Sequence, residues 1–183
     1  MRKRARTRAR EVLSRDVEMF AVAGYHGSGR RGELHAGLSG PEPALLIELV
    51  PAGGRVFGGA YALEVSSAEP VLPSTAGLRA RGRGVVRMQG IDFRARRDDA
   101  AGTALAGALS TDPRLIRALG AVHFEQIRVE ADGRAVIRHM GGSLVWLLFP
   151  PMTRPVAISD EQVRATADAI REFAAAGRRS AAG

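Results

Sequence analysis

The clearest hydrophobic pattern in the chain lies between residues 123 and 149, where an alternating stretch is followed by an unbroken apolar one. Apolar and polar residues alternate on both sides of Ala131-Asp132-Gly133, as a half-buried antiparallel hairpin requires. Gly133 can adopt the positive φ that closes a three-residue hairpin loop. The pattern therefore predicts a β-hairpin in which residues 125–130 pair with residues 134–139.

The predicted register follows from counting outward from this loop. One face of the hairpin then carries four apolar residues, Ile127, Val129, Ala135 and Ile137. The other face carries four polar ones, Gln126, Arg128, Glu130 and Arg134. At the far end of the hairpin, the same register places Glu125 opposite His139.

The apolar run at residues 144–149, Leu-Val-Trp-Leu-Leu-Phe, does not alternate. Such a run is typical of a strand that is covered on both faces. A buried helix fits less well, because Gly141-Gly142 and Pro150-Pro151 leave too few residues between them. We expect this segment to lie in the middle of the sheet, and residues 150–155 to form a rigid connector.

The rest of the chain alternates between helical and extended patterns. Apolar spacing predicts amphipathic helices at about residues 7–23, 99–109, 112–120 and 159–177. The expected N-caps are Asp98 or Asp99, Asp112, and Ser159, the last in a capping box with Gln162. Extended segments are predicted at residues 31–38, 44–50, 55–66, 78–83 and 85–96.

This order of elements predicts an α+β fold, an antiparallel sheet built from hairpins with amphipathic helices packed on one face. With 183 residues, 45% of them hydrophobic, the chain is expected to form a single domain at residues 11–177. A basic tail at residues 1–10 and a frayed tail at residues 178–183 would flank it. A loose likeness between residues 47–56 and 127–136 adds the hypothesis of an internal duplication.

Composition excludes several classes of protein. Cysteine is absent, which rules out disulfides, thiolate nucleophiles and cysteine-ligated zinc. No apolar run approaches the ~20 residues that a bilayer-spanning helix needs. Arg15, Asp16 and Glu18 interrupt what would be the apolar core of a signal peptide. We therefore expect a soluble, cytoplasmic protein without a transmembrane segment.

The formal net charge of +8 is concentrated near the N-terminus. The basic residues there are Arg2, Lys3, Arg4, Arg6, Arg8 and Arg10, with no acid among them. A second basic pattern, at Arg79, Arg81 and Arg83, would place three arginines on one face of a strand. No aromatic residue interleaves with it, so base stacking is not supported. Both are candidate anion-binding sites, and the alternatives are a solubilising tail and a solvated strand face.

The predicted neighbours Glu125 and His139 are the candidate catalytic pair. A carboxylate beside an imidazole raises the pKa of the histidine and could support acid–base chemistry in a small hydrolase or transferase. No third residue completes such a site, so an ion pair at the end of the sheet is the alternative. Whether the protein is an enzyme therefore stays open, although the pattern favours a protein without catalysis.

Neither a metal site nor a cofactor site is predicted. Residues 27–32 match G-x-G-x-x-G, but a helix precedes them and a strand follows, the reverse of the dinucleotide-binding order. They are expected to form a helix-to-strand loop. The remaining histidines, His26, His35 and His123, share no spacing typical of metal ligands.

Residues 115–151, from Leu-Ile-Arg-Ala-Leu-Gly to Phe-Pro-Pro, resemble small uncharacterised bacterial proteins. The resemblance includes no catalytic motif and implies no functional residue. Our first hypothesis is a non-enzymatic binding or scaffold domain whose uncovered sheet face or edge meets a protein partner or a second copy. The second is nonspecific association with nucleic acid or anionic membrane through the basic N-terminus. The third is an enzyme that uses Glu125 and His139.

Overall fold

The computed structural model describes residues 2–52, 58–83, 90–97, 99–147 and 152–181. Its α-helices are α1 (Arg2–Met19), α2 (Ala100–Thr111), α3 (Pro113–Gly120) and α4 (Asp160–Ala181), and a 3-10 turn at Phe20–Ala23 follows α1. The strands of the first half are β1 (His26–Arg31), β2 (His35–Ser39), β3 (Leu45–Ala52), β4 (Gly58–Ser67), β5 (Leu78–Arg83) and β6 (Gly90–Ala95). Those of the second half are β7 (Phe124–Val129), β8 (Ala135–His139), β9 (Ser143–Leu147) and β10 (Met152–Val156).

The strands form one antiparallel sheet, in the order β1-β2-β3-β4-β8-β7-β5-β6. One edge of β4 pairs with two strands. Residues 58–61 pair with β9, and residues 64–66 pair with β8. β10 pairs with the other edge of β9. The helices pack on one face, so the predicted α+β class is confirmed. The internal duplication stays a prediction, although the hairpins β3–β4 and β7–β8 are joined through β4 and β8.

One hydrophobic core lies between the helices and the inner face of the sheet. The sheet contributes fully buried residues such as Leu45, Ile47, Leu63, Val65, Ile127 and Ile137. The helices contribute Ala9, Phe20, Leu115, Leu119, Ile170 and Phe173. The rings of Phe93 on β6 and Phe173 on α4 meet edge to face, with centroids 5.9 Å apart. Burial of each large apolar side chain stabilises the fold by about 1.5–3 kcal/mol.

The hairpin predicted around Ala131-Asp132-Gly133 is confirmed. Gly133 has a φ of +90°, and the Glu130 N–H donates to the carbonyl oxygen of Arg134 at 2.9 Å. The four predicted core residues of the hairpin are all fully buried. A Cβ at Gly133 would also lie 2.0 Å from the carbonyl oxygen of Leu72, so both the turn and this contact require glycine.

Two helix starts are confirmed by their caps. The Asp99 carboxylate accepts hydrogen bonds from the N–H groups of Ala101 and Gly102. Asp112 accepts two equivalent bonds at the start of α3, where Pro113 occupies the first turn. These bonds satisfy helix N–H groups that have no partner within the helix.

The capping box at the start of α4 is only half formed. The Gln162 N–H donates to the Ser159 hydroxyl at 3.3 Å, as predicted. The Gln162 side chain does not return to Ser159, and this part of the prediction was wrong. It accepts from the His123 N–H at 2.6 Å and donates to the Ala121 carbonyl oxygen at 3.1 Å. The start of α4 is thereby tied to the segment that leads into β7.

The first and last helices are longer than predicted. α1 begins at Arg2 rather than at residue 7, and Ala5 and Ala9 are buried beneath its basic first half. α4 continues through Gly177 to Ala181. A Cβ at Gly177 would lie 2.0 Å from the carbonyl oxygen of Val71, so this glycine permits a close approach instead of ending the helix.

Three predictions about strands were wrong. Residues 27–30, expected in a loop, belong to β1, and residues 152–155, expected in a connector, belong to the exposed strand β10. β9 is not covered on both faces, because Leu144 is buried but Val145 is 37% exposed. The side chain of Trp146 and the whole of residues 148–149 lie outside the described residues. No helix in the described part of the chain is long and apolar enough to span a membrane.

Candidate anion-binding surface

The face of the sheet that the helices leave open carries the basic strand predicted from the sequence. In β5, Leu78 is buried on the inner face and Arg79 is exposed on the outer one. Arg79 stands opposite Arg94 of β6 on one side and opposite Arg128 of β7 on the other. We call Arg94, Arg79 and Arg128 the arginine row. Because neighbouring strands lie about 4.8 Å apart, its two ends are about 10 Å apart.

The other two arginines predicted on this strand are placed by backbone register alone. Arg81 pairs with Asp92, and Arg83 pairs with Gly90. Their side chains lie outside the described residues. The backbone therefore keeps Arg79, Arg81 and Arg83 at alternate positions of one strand, as the spacing predicted.

A carboxylate network holds Arg128, the inner end of the row. Arg128 donates from Nη1 and Nη2 to the two oxygens of Glu64 on β4, at 2.9 and 2.7 Å, and from Nε to Glu130. Arg138 on β8 donates from Nε to the same Glu64 at 2.8 Å. Burial raises the pKa of Glu64, but the hydrogen bonds from Arg128 and Arg138 outweigh it and hold the pKa below its ordinary value. Glu64 therefore stays ionised and fixes both guanidinium groups.

Arg79 and Arg94 are exposed, and neither makes a side-chain hydrogen bond or ion pair with a described residue. Like charges directly opposite each other on neighbouring strands destabilise the pair. An anion bound between the two guanidinium groups would remove that repulsion. Arg96, just after β6, forms an ion pair with Glu130 at 3.7 Å. Asp92, on the same face, also interacts with another residue.

The exposed apolar side chains lie away from the arginine row. The large ones among the described residues are Val22, Met140, Val145, Met152 and Val156. Three of them belong to β9 and β10, which pair along β4 and beyond it, whereas the row crosses β6, β5 and β7. The described neighbourhood of the row is therefore charged rather than apolar, which suits phosphate better than acyl chains.

The basic N-terminal segment forms the first half of α1. Its described arginine side chains are those of Arg4, Arg6, Arg8 and Arg10. Glu33 pairs with two of them, Arg6 at 3.4 Å and Arg10 at 2.7 Å, and Glu11 pairs with Arg8 at 2.6 Å. The side chains of Arg2 and Lys3 lie outside the described residues. Two carboxylates thus offset part of the charge, which makes this segment a weaker candidate than the row.

The predicted neighbours Glu125 and His139 are not paired, and that prediction was wrong. β7 contains an irregularity between Phe124 and Gln126, so His139 stands opposite Phe124 instead of Glu125. Glu125 is exposed, whereas His139 is 2% exposed. Burial, with a smaller contribution from His123, lowers the pKa of His139 to about 4. The direction is opposite to the predicted rise, because the imidazole has lost water without gaining a carboxylate.

His139 instead ties the sheet to α4. Its Nε2 lies 3.0 Å from the Thr166 hydroxyl, which donates to the Gln162 carbonyl oxygen at 2.6 Å. Because the Thr166 hydroxyl proton is used in that bond, the Nε2–H of the imidazole donates to Thr166. The lowered pKa keeps the imidazole neutral at pH 7. Sequence reasoning missed Thr166, although its spacing from Val163 and Ile170 places a hydroxyl on the apolar face of α4. A polar residue on such a face needs a partner, and this was the available signal.

Among the described residues, no group of three or more histidine, aspartate or glutamate side chains is arranged to hold a metal ion. The polar clusters on the sheet are instead ion pairs between arginine and glutamate.

The fold and this surface define a class, an α+β domain with helices on one face of an antiparallel sheet and charged residues on the open face. Residues 52–176 match the model of a family described as Protein of unknown function (DUF3156). The match covers well over half of the chain, so the protein belongs to this family. It includes Glu64 and the arginine row but not α1. The predicted resemblance to uncharacterised proteins is thus confirmed. No curated protein and no solved structure matches the chain.

Proposed function

We propose that this protein is a non-enzymatic binding domain that holds the phosphate backbone of a nucleic acid on the open face of its sheet. The observation that carries the proposal is the arginine row. Arg79 and Arg94 stand opposite each other, exposed and without a carboxylate partner among the described residues. Arg128 extends the row on a third strand.

The row has the chemistry of a phosphate contact. Guanidinium groups donate two parallel hydrogen bonds to phosphate oxygens and stay charged at any physiological pH. The row stands on three hydrogen-bonded strands, and Glu64 keeps Arg128 in place. Contacts of this kind position a backbone but do not read bases, so the expected binding is independent of sequence and strongly dependent on salt.

The polar surroundings of the row favour nucleic acid over membrane. Proteins that lie on membranes insert apolar side chains beside their basic residues. Among the described residues, three of the five large exposed apolar side chains are on β9 and β10, and none is on a strand of the row. The arginines of α1 belong to the side that the helices cover, so we assign them a separate and weaker contact. The proposal also places the protein in the cytoplasm, where nucleic acid is accessible.

The test is a salt titration of binding to a fluorescently labelled DNA duplex, followed by anisotropy from about 50 to about 200 mM salt. The test variant is Arg79→Gln with Arg94→Gln, and the matched control is Arg164→Gln with Arg178→Gln, two exposed arginines of α4. The test variant should bind more weakly, and its log–log salt slope should be smaller by about 2, because each phosphate contact contributes roughly 0.9. The control should keep the slope of the natural protein.

Two results would overturn the proposal. One is an unchanged slope in the test variant, with circular dichroism showing that it is folded. The other is binding to vesicles of anionic lipid, without any binding to DNA, which would assign the surface to a membrane.

A further inference from the structure

A second group of arginines lines a cleft between α3 and α4, on the side of the molecule that the helices occupy. The cleft has a volume of about 570 Å³. Its lining residues are Arg114, Arg117, Ala118, Asp168, Arg171 and Glu172. Guanidinium groups from two helices therefore border an open depression that is large enough to hold a small molecule.

The charges in this cleft are not balanced. Asp168 pairs with Arg171 at 3.1 Å, and Glu172 has Arg179 at 3.9 Å. Asp168 is thus paired with Arg171 within the lining, and Glu172 is directed to Arg179 outside it, so neither carboxylate compensates Arg114 or Arg117. Arg114 and Arg117 make no side-chain hydrogen bond or ion pair with any described residue.

The two unpaired arginines repel each other. They are three residues apart on one helix, where like charges lie side by side and destabilise it. Arg171, the third arginine of the lining, is paired with Asp168, so the uncompensated charge is that of Arg114 and Arg117. An anion in the cleft would satisfy the charge that the lining carboxylates leave uncompensated.

The position of α3 is rigid enough to hold such an anion. Leu115 and Leu119 are fully buried and anchor the inner face of the helix. Its first turn is capped by Asp112, which also accepts from Arg179 of α4. Arg114 and Arg117 therefore project from a fixed helix, and binding would not need to order the backbone.

We infer that this cleft binds a small phosphorylated molecule, whose phosphate group lies between Arg114 and Arg117. Asp168 on the opposite wall is exposed and pairs with Arg171 through Oδ1, so its Oδ2 can accept a hydrogen bond from a hydroxyl group. This combination of donors and acceptors suits the phosphate ester of a polyol better than a bare anion. The site is independent of the arginine row, because it lies on α3 and α4 and shares no residue with the row.

The full chain is titrated by calorimetry with inorganic phosphate, with glucose 6-phosphate and with sodium sulfate, all at one ionic strength. We expect saturable binding of both phosphates, with the ester bound more tightly than inorganic phosphate. The variant Arg114→Gln with Arg117→Gln should lose about tenfold in affinity or more, since charge-assisted hydrogen bonds to phosphate contribute at least that much. The control Arg4→Gln with Arg154→Gln, the same loss of charge at distant exposed positions, should bind as the natural protein does.

A third variant, Arg114→Lys with Arg117→Lys, keeps the charge and should retain part of the affinity. It also guards against misfolding as the cause of any loss. The inference is overturned if the natural protein binds neither phosphate saturably, if the glutamine variant binds them unchanged, or if sulfate binds as tightly as the ester. None of these results bears on DNA binding by the arginine row, so the two proposals fail or stand separately.

Discussion

Glu64 and Asp16 are both buried carboxyl groups, but the molecule treats their charges in opposite ways. Glu64 accepts hydrogen bonds from two arginines on neighbouring strands, and its pKa lies below the ordinary value. Asp16 on α1 is fully buried. Its Oδ1 forms an ion pair with Nη2 of the partly exposed Arg15 at 3.3 Å. Its Oδ2 has no hydrogen-bond partner among the described residues. Burial raises the pKa of Asp16 to about 7, and Arg15 offsets only part of the rise.

The difference shows where the fold has compensated its charges. On the open sheet face, arginine and glutamate occupy neighbouring positions on three strands, so a dense set of charges is stable there. Beneath α1, the core supplies apolar neighbours and no donor of its own. The sheet face is thus a permanently charged surface, whereas we expect the packing of α1 on the sheet to depend on pH.

The largest expected effect follows from removing the carboxylate of the compensated region. Glu64→Gln leaves Arg138 partly buried without an anionic partner and leaves Arg128 with Glu130 alone, so the free energy of unfolding should fall by about 3–5 kcal/mol. Urea denaturation at pH 7 measures it. The control is Glu48→Gln, at the exposed residue paired with Glu64 on β3. Equal effects of the two substitutions would show that the network contributes nothing specific.

The next effect concerns Asp16. Its pKa is about 7 in the folded state and 3.8 as the ordinary value, so the folded state binds the proton more tightly. The contribution of Asp16 to the free energy of unfolding is fully present below pH 3.8. It is lost as the pH rises to 7, by about 1.4 kcal/mol per pH unit. Asp16→Asn should therefore gain stability over the natural protein, by about 3 kcal/mol more at pH 7 than at pH 4.

Urea denaturation at pH 4, 5.5 and 7 measures this gain. Glu18→Gln, at an exposed position of the same helix, serves as the control and should show no such trend. A constant difference between Asp16→Asn and the natural protein across this range would mean that Asp16 titrates normally.

A smaller effect of opposite sign comes from His139. Its pKa is lowered from 6.5 to about 4, so its contribution to stability is present above pH 6.5 and is lost as the pH falls towards 4. Between pH 6.5 and pH 4, the free energy of unfolding of His139→Gln should therefore fall by about 2–3 kcal/mol less than that of the natural protein. Each protein is compared with its own stability at pH 7, which removes the constant cost of the substitution. Between pH 4 and 6.5 the slopes of Asp16 and His139 oppose each other in the natural protein. For each variant, the difference in the free energy of unfolding from the natural protein is plotted against pH. Differences for Asp16→Asn and His139→Gln that slope in the same direction would contradict this assignment.

Much of the local structure could be predicted from the sequence, because its causes lie within a few residues. The hairpin at Gly133 needed only alternation and one positive φ, and the starts of α2 and α3 needed only Asp99 and Asp112 as caps. The candidate site was found in part for the same reason. Arg79 and its spacing mark an exposed strand face, and the β5–β6 pairing brings Arg94 beside it.

Errors arose where one residue or one distant contact changed the outcome. A single irregularity after Phe124 moved Glu125 away from His139, and alternation along the chain does not reveal such a step. Gln162 left the expected capping box because backbone groups about 40 residues earlier offered better partners. Asp16 was predicted only as an interruption of an apolar run, and its burial depends on how α1 packs on the sheet.

The sequence by itself determined the four helices, most of the strands, the caps of α2 and α3, the hairpin register next to its turn and the basic character of β5. All of these depend on backbone preferences and neighbouring side chains. Only the tertiary structure decided that β5 pairs with β7, which brings Arg128 beside Arg79, and that β4 joins Glu64 to both Arg128 and Arg138. The physical reason is that pairing of distant strands and burial of a charge are settled by the packing of the whole core. The same carboxyl chemistry therefore yields a fixed ion pair on one face of the sheet and a proton-binding group beneath α1.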